Sequence, residues 1–299
     1  MSYQWDDIAI SLITAIGIIG NVFVICYFIK INRRNLKRMS SYHFLIILLA
    51  FTDLFFSMVT LGTIFHLLIA AAANVIRAGL FSTALLIIIL LSFERYRNIV
   101  HPFKGKIRKC CFFAIYISVL LVFSSYRFGI GQLGTNEPDY NWLIISFEVV
   151  RNLSESIIPL IFMMYFYKGI YKKIKESETL LNSTSAQQQL LKRNKKAVKT
   201  VKWLIILYIL FVFPAKMLLL IILMEKNELW VIIFFQIFSV LCYFNSSINV
   251  FVYLRIIKGF RNFVFNIFTF GLAMKRTTTR TLEMNRFCLL YTSPSPRDS

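Results

Sequence analysis

Asp53 interrupts an apolar run, Leu48-Leu49-Ala50-Phe51-Thr52-Asp53-Leu54-Phe55-Phe56, in which a carboxylate is out of place. Asn21, Asn245 and Asn249 are polar at comparable places in two other apolar runs. One carboxylate with several amides has the chemistry to hold a proton or a small cation. The plainer role is a set of hydrogen bonds joining helices, worth about 0.6 kcal/mol each. Glu148 and Glu155 flank Arg151 at i−3 and i+4, the spacing at which side chains of one helix pair. Arg77 and Lys216 have no acidic neighbour within their own runs. Glu94-Arg95-Tyr96 closes a further run, where an arginine can anchor a helix end by snorkelling. His43, His66 and His101 fall at run ends without metal-ligand spacing, and no nucleophile–base pattern accompanies them. An enzyme is not expected.

Composition says what must position these groups. Of 299 residues, 58% are hydrophobic and 16% charged, against about 25% charged in a soluble chain. The net charge of +20 would suit a nucleic-acid binder. The basic residues, however, fall in short clusters between long apolar runs, which excludes a DNA binder, a soluble enzyme and a disulfide-rich secreted scaffold. The runs cover about 8–29, 43–69, 74–93, 111–130, 142–167, 203–224 and 229–254. Each can cross a hydrocarbon core of about 30 Å, and there only helices satisfy the backbone. The expected fold is an all-α membrane protein, a seven-transmembrane helix bundle. Ala70 to Asn74 leaves a very short connection between the second and third spans, and Asp53 is the one acid expected at mid-membrane.

Lys and Arg number five in 30–42, six in 95–111, ten in 167–203 and eight in 255–299. Only Arg77, Arg127, Arg151, Lys216 and Lys226 lie elsewhere. Basic connections stay in the cytoplasm, so the N-terminus is expected outside and the C-terminus inside. Trp5-Asp6-Asp7 is acidic where a secretory signal would be basic. The five cysteines (26, 110, 111, 242 and 288) lie in spans or on the basic side, so no external disulfide is expected. Three glycosylation-type matches, at Asn152, Asn182 and Asn245, fall at or below the membrane surface or on the basic side and are read as chance. Residues 172–202 suggest two helical extensions around a mobile loop. No internal repeat is visible, which counts against repeat-built transporters. The expected organisation is an extracellular N-terminus at 1–7, a seven-span domain at 8–254, an amphipathic membrane-surface helix at 255–270 and a cytoplasmic tail at 271–299. Within that tail, 290–299 has the character of exogenous adapter sequence.

The order and spacing of these features resemble the rhodopsin-like (class A) family of G-protein-coupled receptors over about residues 10–265. The matching residues are Gly20-Asn21, Leu49-Ala50 with Asp53, Glu94-Arg95-Tyr96, Pro159 with Tyr167, Phe211-Val212-Phe213-Pro214, Asn245-Ser246, and Asn249-Val250-Phe251-Val252-Tyr253, followed by Phe260-Arg261. Some family features are replaced. The cysteine pair that pins the second external loop (about 131–141) is absent, and the fourth span lacks its tryptophan. Val212 stands for the tryptophan before the sixth-span proline, and Val250 for a proline. Ala84 stands for a serine near the family's sodium site, and Asn194 for an acid that locks the arginine.

The resemblance implies a plasma-membrane receptor in which an extracellular ligand favours one of two helix packings and activates a heterotrimeric G protein. Arg95 would leave its partner Glu94 to meet the G protein, with Tyr96 completing the motif. Tyr167 and Tyr253 would turn inward to support Arg95, with Pro214 as the hinge. Arrestin and membrane lipids are further implied partners, and Lys192, Arg193, Lys195 and Lys196 suit acidic lipid or simple solvation. No cofactor is expected beyond an allosteric sodium ion at Asp53, Asn245 and Asn249, with Asn21 in the same polar core. Arg77 lies 18 residues before Arg95, about five turns, and so faces the bundle interior near the outer mouth. Arg151 and Lys216 lie where the family contacts ligands. The expected ligand site is Arg77, Glu148, Arg151, Glu155 and Lys216, taking an anionic group on a peptide, lipid or small acid. A chemosensory or weakly signalling orphan receptor is the alternative. A seven-helix transporter or channel is a more distant one.

Overall fold

Peptide groups in hydrocarbon have no water to bond, so long apolar runs form helices. The computed structural model describes residues 5–33, 39–67, 69–102, 107–136, 141–179, 185–223 and 229–269. Its helices are α1 (Trp5–Asn32), α2 (Ser41–Ile64), α3 (Ala70–Val100), α4 (Lys109–Asn136), α5 (Asn141–Thr179), α6 (Ser185–Leu207), α7 (Phe213–Leu223) and α8 (Leu229–Ile256). A π-helical turn, Tyr208–Val212, joins α6 to α7 in one span. Seven spans are long and apolar enough to cross a membrane, and no strand occurs among the described residues. The all-α seven-span bundle is the observed architecture.

Several ends fall elsewhere than the hydropathy suggests. The second span stops at Ile64 instead of 69, because the chain reverses there through a left-handed residue, His66 at φ 55°. The Leu67 N–H bonds the Gly62 carbonyl at 2.8 Å and the His66 N–H bonds the Thr63 carbonyl at 3.1 Å. That pair of bonds is the Schellman closure, with histidine in the place glycine usually takes. The third span then begins at Ala70, not 74. Residues 131–136, expected as external loop, belong to α4. The expected extensions around 172–202 are helical, α5 running to Thr179 and α6 starting at Ser185.

The π turn has a local cause. Pro214 carries no N–H, and its ring excludes the carbonyl four residues back. The preceding Phe213 N–H reaches the Tyr208 carbonyl, five residues back, and widens the turn. Pro159 leaves α5 continuous.

Close approach of α1 and α8 requires glycine. A Cβ at Gly20 would lie 2.7 Å from Val250 Cγ2, and one at Gly17 would collide with Ser247 Oγ. Ser247 Oγ donates to the Ile13 carbonyl at 2.8 Å, tying the two helices. The span α3 packs on α2, α4, α5 and α6 and is the post around which the others stand.

Residues from Ile257 form a second unit. Within it a helix, α9, covers 258–269, opened by an Arg261 N–H bond to the Ile257 carbonyl at 3.0 Å. This short helix follows the seventh span as expected. Residues 1–4 and 270–299 and the side chains of Lys192, Arg193 and Lys196 lie outside the described residues.

Candidate functional site

Three polar groups sit along the bundle. The middle one joins three spans. Asn21 of α1 donates to the Ser246 carbonyl of α8 at 3.3 Å, and Asn249 of α8 donates to Asp53 Oδ2 of α2 at 3.0 Å. Asn21, Asp53 and Asn249 are all buried, at 1%, 2% and 2% exposure. Asn245, also buried, lines a small void of about 10 Å³ with Asp53, Ala84 and Ser246. The polar residues that the sequence placed in separate apolar runs are therefore gathered at one centre.

The second group lies toward the end of α3 that carries Arg95. Glu94 is buried and accepts from Asn98 Nδ2 at 3.1 Å, one turn on in its own helix. Arg95 is not paired with Glu94: its guanidinium carbon stands 3.3 Å from the centre of the Tyr42 ring, on α2. Among the described residues no carboxylate lies in ion-pair reach of Arg95, and its Nε has no hydrogen-bond partner. The expected Glu94–Arg95 pair fails because neighbours on a helix point about 100° apart, whereas Asn98 lies directly along the row from Glu94. Tyr96 packs between Phe166, Tyr165 and His101. Tyr167 stacks on Tyr171, and Tyr253 is buried with its hydroxyl unbonded. Among the described residues no hydrogen bond joins Tyr167 or Tyr253 to Arg95, and the inward turn expected of the two tyrosines belongs to the ligand-favoured packing.

The third group lies about three and a half to five turns along α3 from Arg95, from Ser82 to Arg77. Glu155 of α5, 4% exposed, is its hub. It accepts from Lys216 Nζ of α7 and, at 2.5 Å, from Ser82 Oγ of α3; Arg151 is 3.9 Å away. Glu148 accepts from Arg151 and, at 2.5 Å, from Arg127 of α4. Arg77 donates to Asn74 of its own helix, and among the described residues no carboxylate pairs with it. Lys216, with no acid in its own span, takes its acidic partner from another span, and Glu155 joins Asp53 as a deeply buried acid, where Asp53 was the one expected.

Pro159 explains a further contact. Lacking an N–H, it leaves the carbonyl of Glu155, four residues earlier, without its helical donor. The Tyr208 hydroxyl donates to that carbonyl and, at 2.9 Å, to the Ser156 carbonyl. The π turn of the sixth span is thereby bonded to the break in α5.

Arg77, Arg127, Arg151 and Lys216 line one cavity of about 320 Å³, with Phe56, Phe81 and Tyr243 among its apolar walls. That size is at the small end of ligand pockets, about 300–1,000 Å³. Arg127, Tyr42, Ser82 and Tyr208 were not singled out by spacing. Only Arg127 carried a signal, as one of five basic residues outside the basic connections. The Asn152 side chain is buried, donating to the Glu148 carbonyl at 2.8 Å, which agrees with a chance glycosylation match.

Residues 20–253 match the model of one family, the 7 transmembrane receptor (rhodopsin family). No curated protein matches the chain.

Proposed function

The chain belongs to the rhodopsin family of seven-transmembrane receptors, and we propose that it is a plasma-membrane receptor that binds an extracellular ligand and activates a heterotrimeric G protein. The observation that carries this reading is the position of Arg95. It is held at one end of α3 by an aromatic ring instead of an acid, while a cation-lined cavity opens about five turns away. The basic connections orient the Arg95 end toward the cytoplasm.

In the mechanism, ligand in the cavity biases the sixth span, because Lys216 and Tyr208 connect that span to α5 on either side of Pro214. A change at the cavity alters those bonds, and the span pivots at its π turn. Arg95 then leaves Tyr42 for the G protein. The shift is limited by the ligand's differential affinity for the two packings. Anion binding in the cavity is favoured by four cations against two carboxylates, Glu148 and Glu155, among the described residues. Lipids and arrestin are the further partners of such a receptor.

The polar centre suits one sodium ion. Asp53, Asn245 and Ser246, all oxygen-bearing, line a void the size of one water, although Ala84 offers no side-chain oxygen. Bound there, the ion would favour the packing in which Asn249 reaches Asp53.

The direct test expresses the chain in membranes with a promiscuous G protein and measures guanine-nucleotide exchange and solute flux side by side. The receptor reading expects exchange above mock membranes. Flux without exchange would transfer the chain to a transporter role.

A further inference from the structure

The four cations of the cavity are not equivalent, and their pairing identifies what is missing. Lys216 is neutralised by Glu155, which also holds Ser82, so that end of the cavity is closed electrostatically. Lys216 Nζ further lies 4.8 Å from the Phe81 ring centre. At the other end Glu148 is bonded by two guanidiniums, Arg127 and Arg151, the latter also 3.9 Å from Glu155, while among the described residues Arg77 is bonded to the neutral Asn74. Among the described residues the four cations thus share two carboxylates, Glu148 and Glu155, an excess of two positive charges.

Guanidiniums are suited to planar, bidentate recognition of carboxylate or phosphate. Beneath them the wall turns aromatic: Phe56 lies 6.4 Å from Phe81 and 5.7 Å from Tyr243 between ring centres. Resting on the receptor reading above, we propose that the cavity takes a compact amphipathic organic anion, its acid group held by Arg77 and Arg127 and its apolar body lying on Phe56, Phe81 and Tyr243. Lys216 stays with Glu155 and reports occupancy to the sixth span without binding the anion itself. Helix α4 thereby contributes a specificity residue, Arg127, whose side chain lines the cavity, is 36% exposed and is bonded to Glu148.

The test uses purified receptor and three probes of one skeleton: 4-phenylbutyrate, 4-phenylbutyl phosphate and the neutral 4-phenylbutanamide. Thermal unfolding is followed against probe concentration. Both anions are expected to raise the unfolding temperature and the amide to leave it unchanged. In the Arg77→Gln/Arg127→Gln variant the apparent dissociation constant of the anions should rise by about tenfold or more, the effect of about 1.4 kcal/mol of lost binding. In the Glu155→Gln/Lys216→Met variant the anions should still stabilise. An amide as effective as the anions, no shift with any probe, or unchanged anion affinity in the double-arginine variant would each overturn the proposal. Loss of the anion effect in the Glu155→Gln/Lys216→Met variant would overturn the part assigned to Lys216. The readout involves no G protein, so a failure here leaves the nucleotide-exchange result standing, and the reverse holds as well.

Discussion

Arg95 stacks on Tyr42: the guanidinium carbon of α3 lies 3.3 Å from the ring centre on α2, while the adjacent Glu94 is engaged by Asn98. A cation over an aromatic face gains about 0.5–1 kcal/mol when exposed and about 2 when desolvated. Removing the ring should therefore free Arg95 and raise ligand-independent nucleotide exchange several-fold in Tyr42→Leu. Tyr42→Phe keeps the ring and should stay near the parent level. Equal basal exchange in Leu and Phe variants would show that the stacking holds nothing.

The Glu155–Lys216 pair invites a double-mutant cycle. Removing one partner leaves a buried charge uncompensated, costing about 3–5 kcal/mol, whereas replacing both is close to neutral. Glu155→Gln and Lys216→Met should each lower the unfolding temperature of purified receptor markedly. The combined variant should recover most of the loss. Additive losses would mean that the two groups do not interact.

The Tyr208 hydroxyl substitutes for the N–H that Pro159 lacks. Tyr208→Phe should destabilise the receptor by about 1–3 kcal/mol, the cost of an unsatisfied buried carbonyl. In a Pro159→Ala background the helix supplies its own donor, and the same substitution should cost far less. An undiminished penalty there would place the role of Tyr208 elsewhere.

Those contacts also mark the limit of what the sequence discloses. Asn21, Asp53 and Asn249 were legible because polar groups in hydrocarbon are expensive, and the cheapest remedy is to meet. The structure gathers them. Helix-internal pairing was legible too: Arg151 and Glu148 lie three residues apart and are bonded. Lys216 with Glu155, Arg127 with Glu148, and Arg95 with Tyr42 depend on how separate helices rotate against each other, which spacing along one helix does not encode. Span ends failed for a related reason. Phe65 and Leu67 extend the apolar run to either side of His66, yet a left-handed His66 ends α2.

Sodium supplies a test of the polar centre. Exchanging choline chloride for sodium chloride at constant ionic strength should raise the unfolding temperature of the parent receptor. Asp53→Asn, which removes the only charge in that void among the described residues, should abolish the difference. A sodium effect that survives the substitution would remove Asp53 from ion binding.

The most direct measurement of the central claim compares the parent chain with Arg95→Ala at matched surface expression, reading guanine-nucleotide exchange on a promiscuous G protein. The parent should accelerate exchange and the variant should fall to the level of mock membranes. Undiminished exchange in Arg95→Ala would contradict the assignment of this end of α3 as the contact through which the receptor signals.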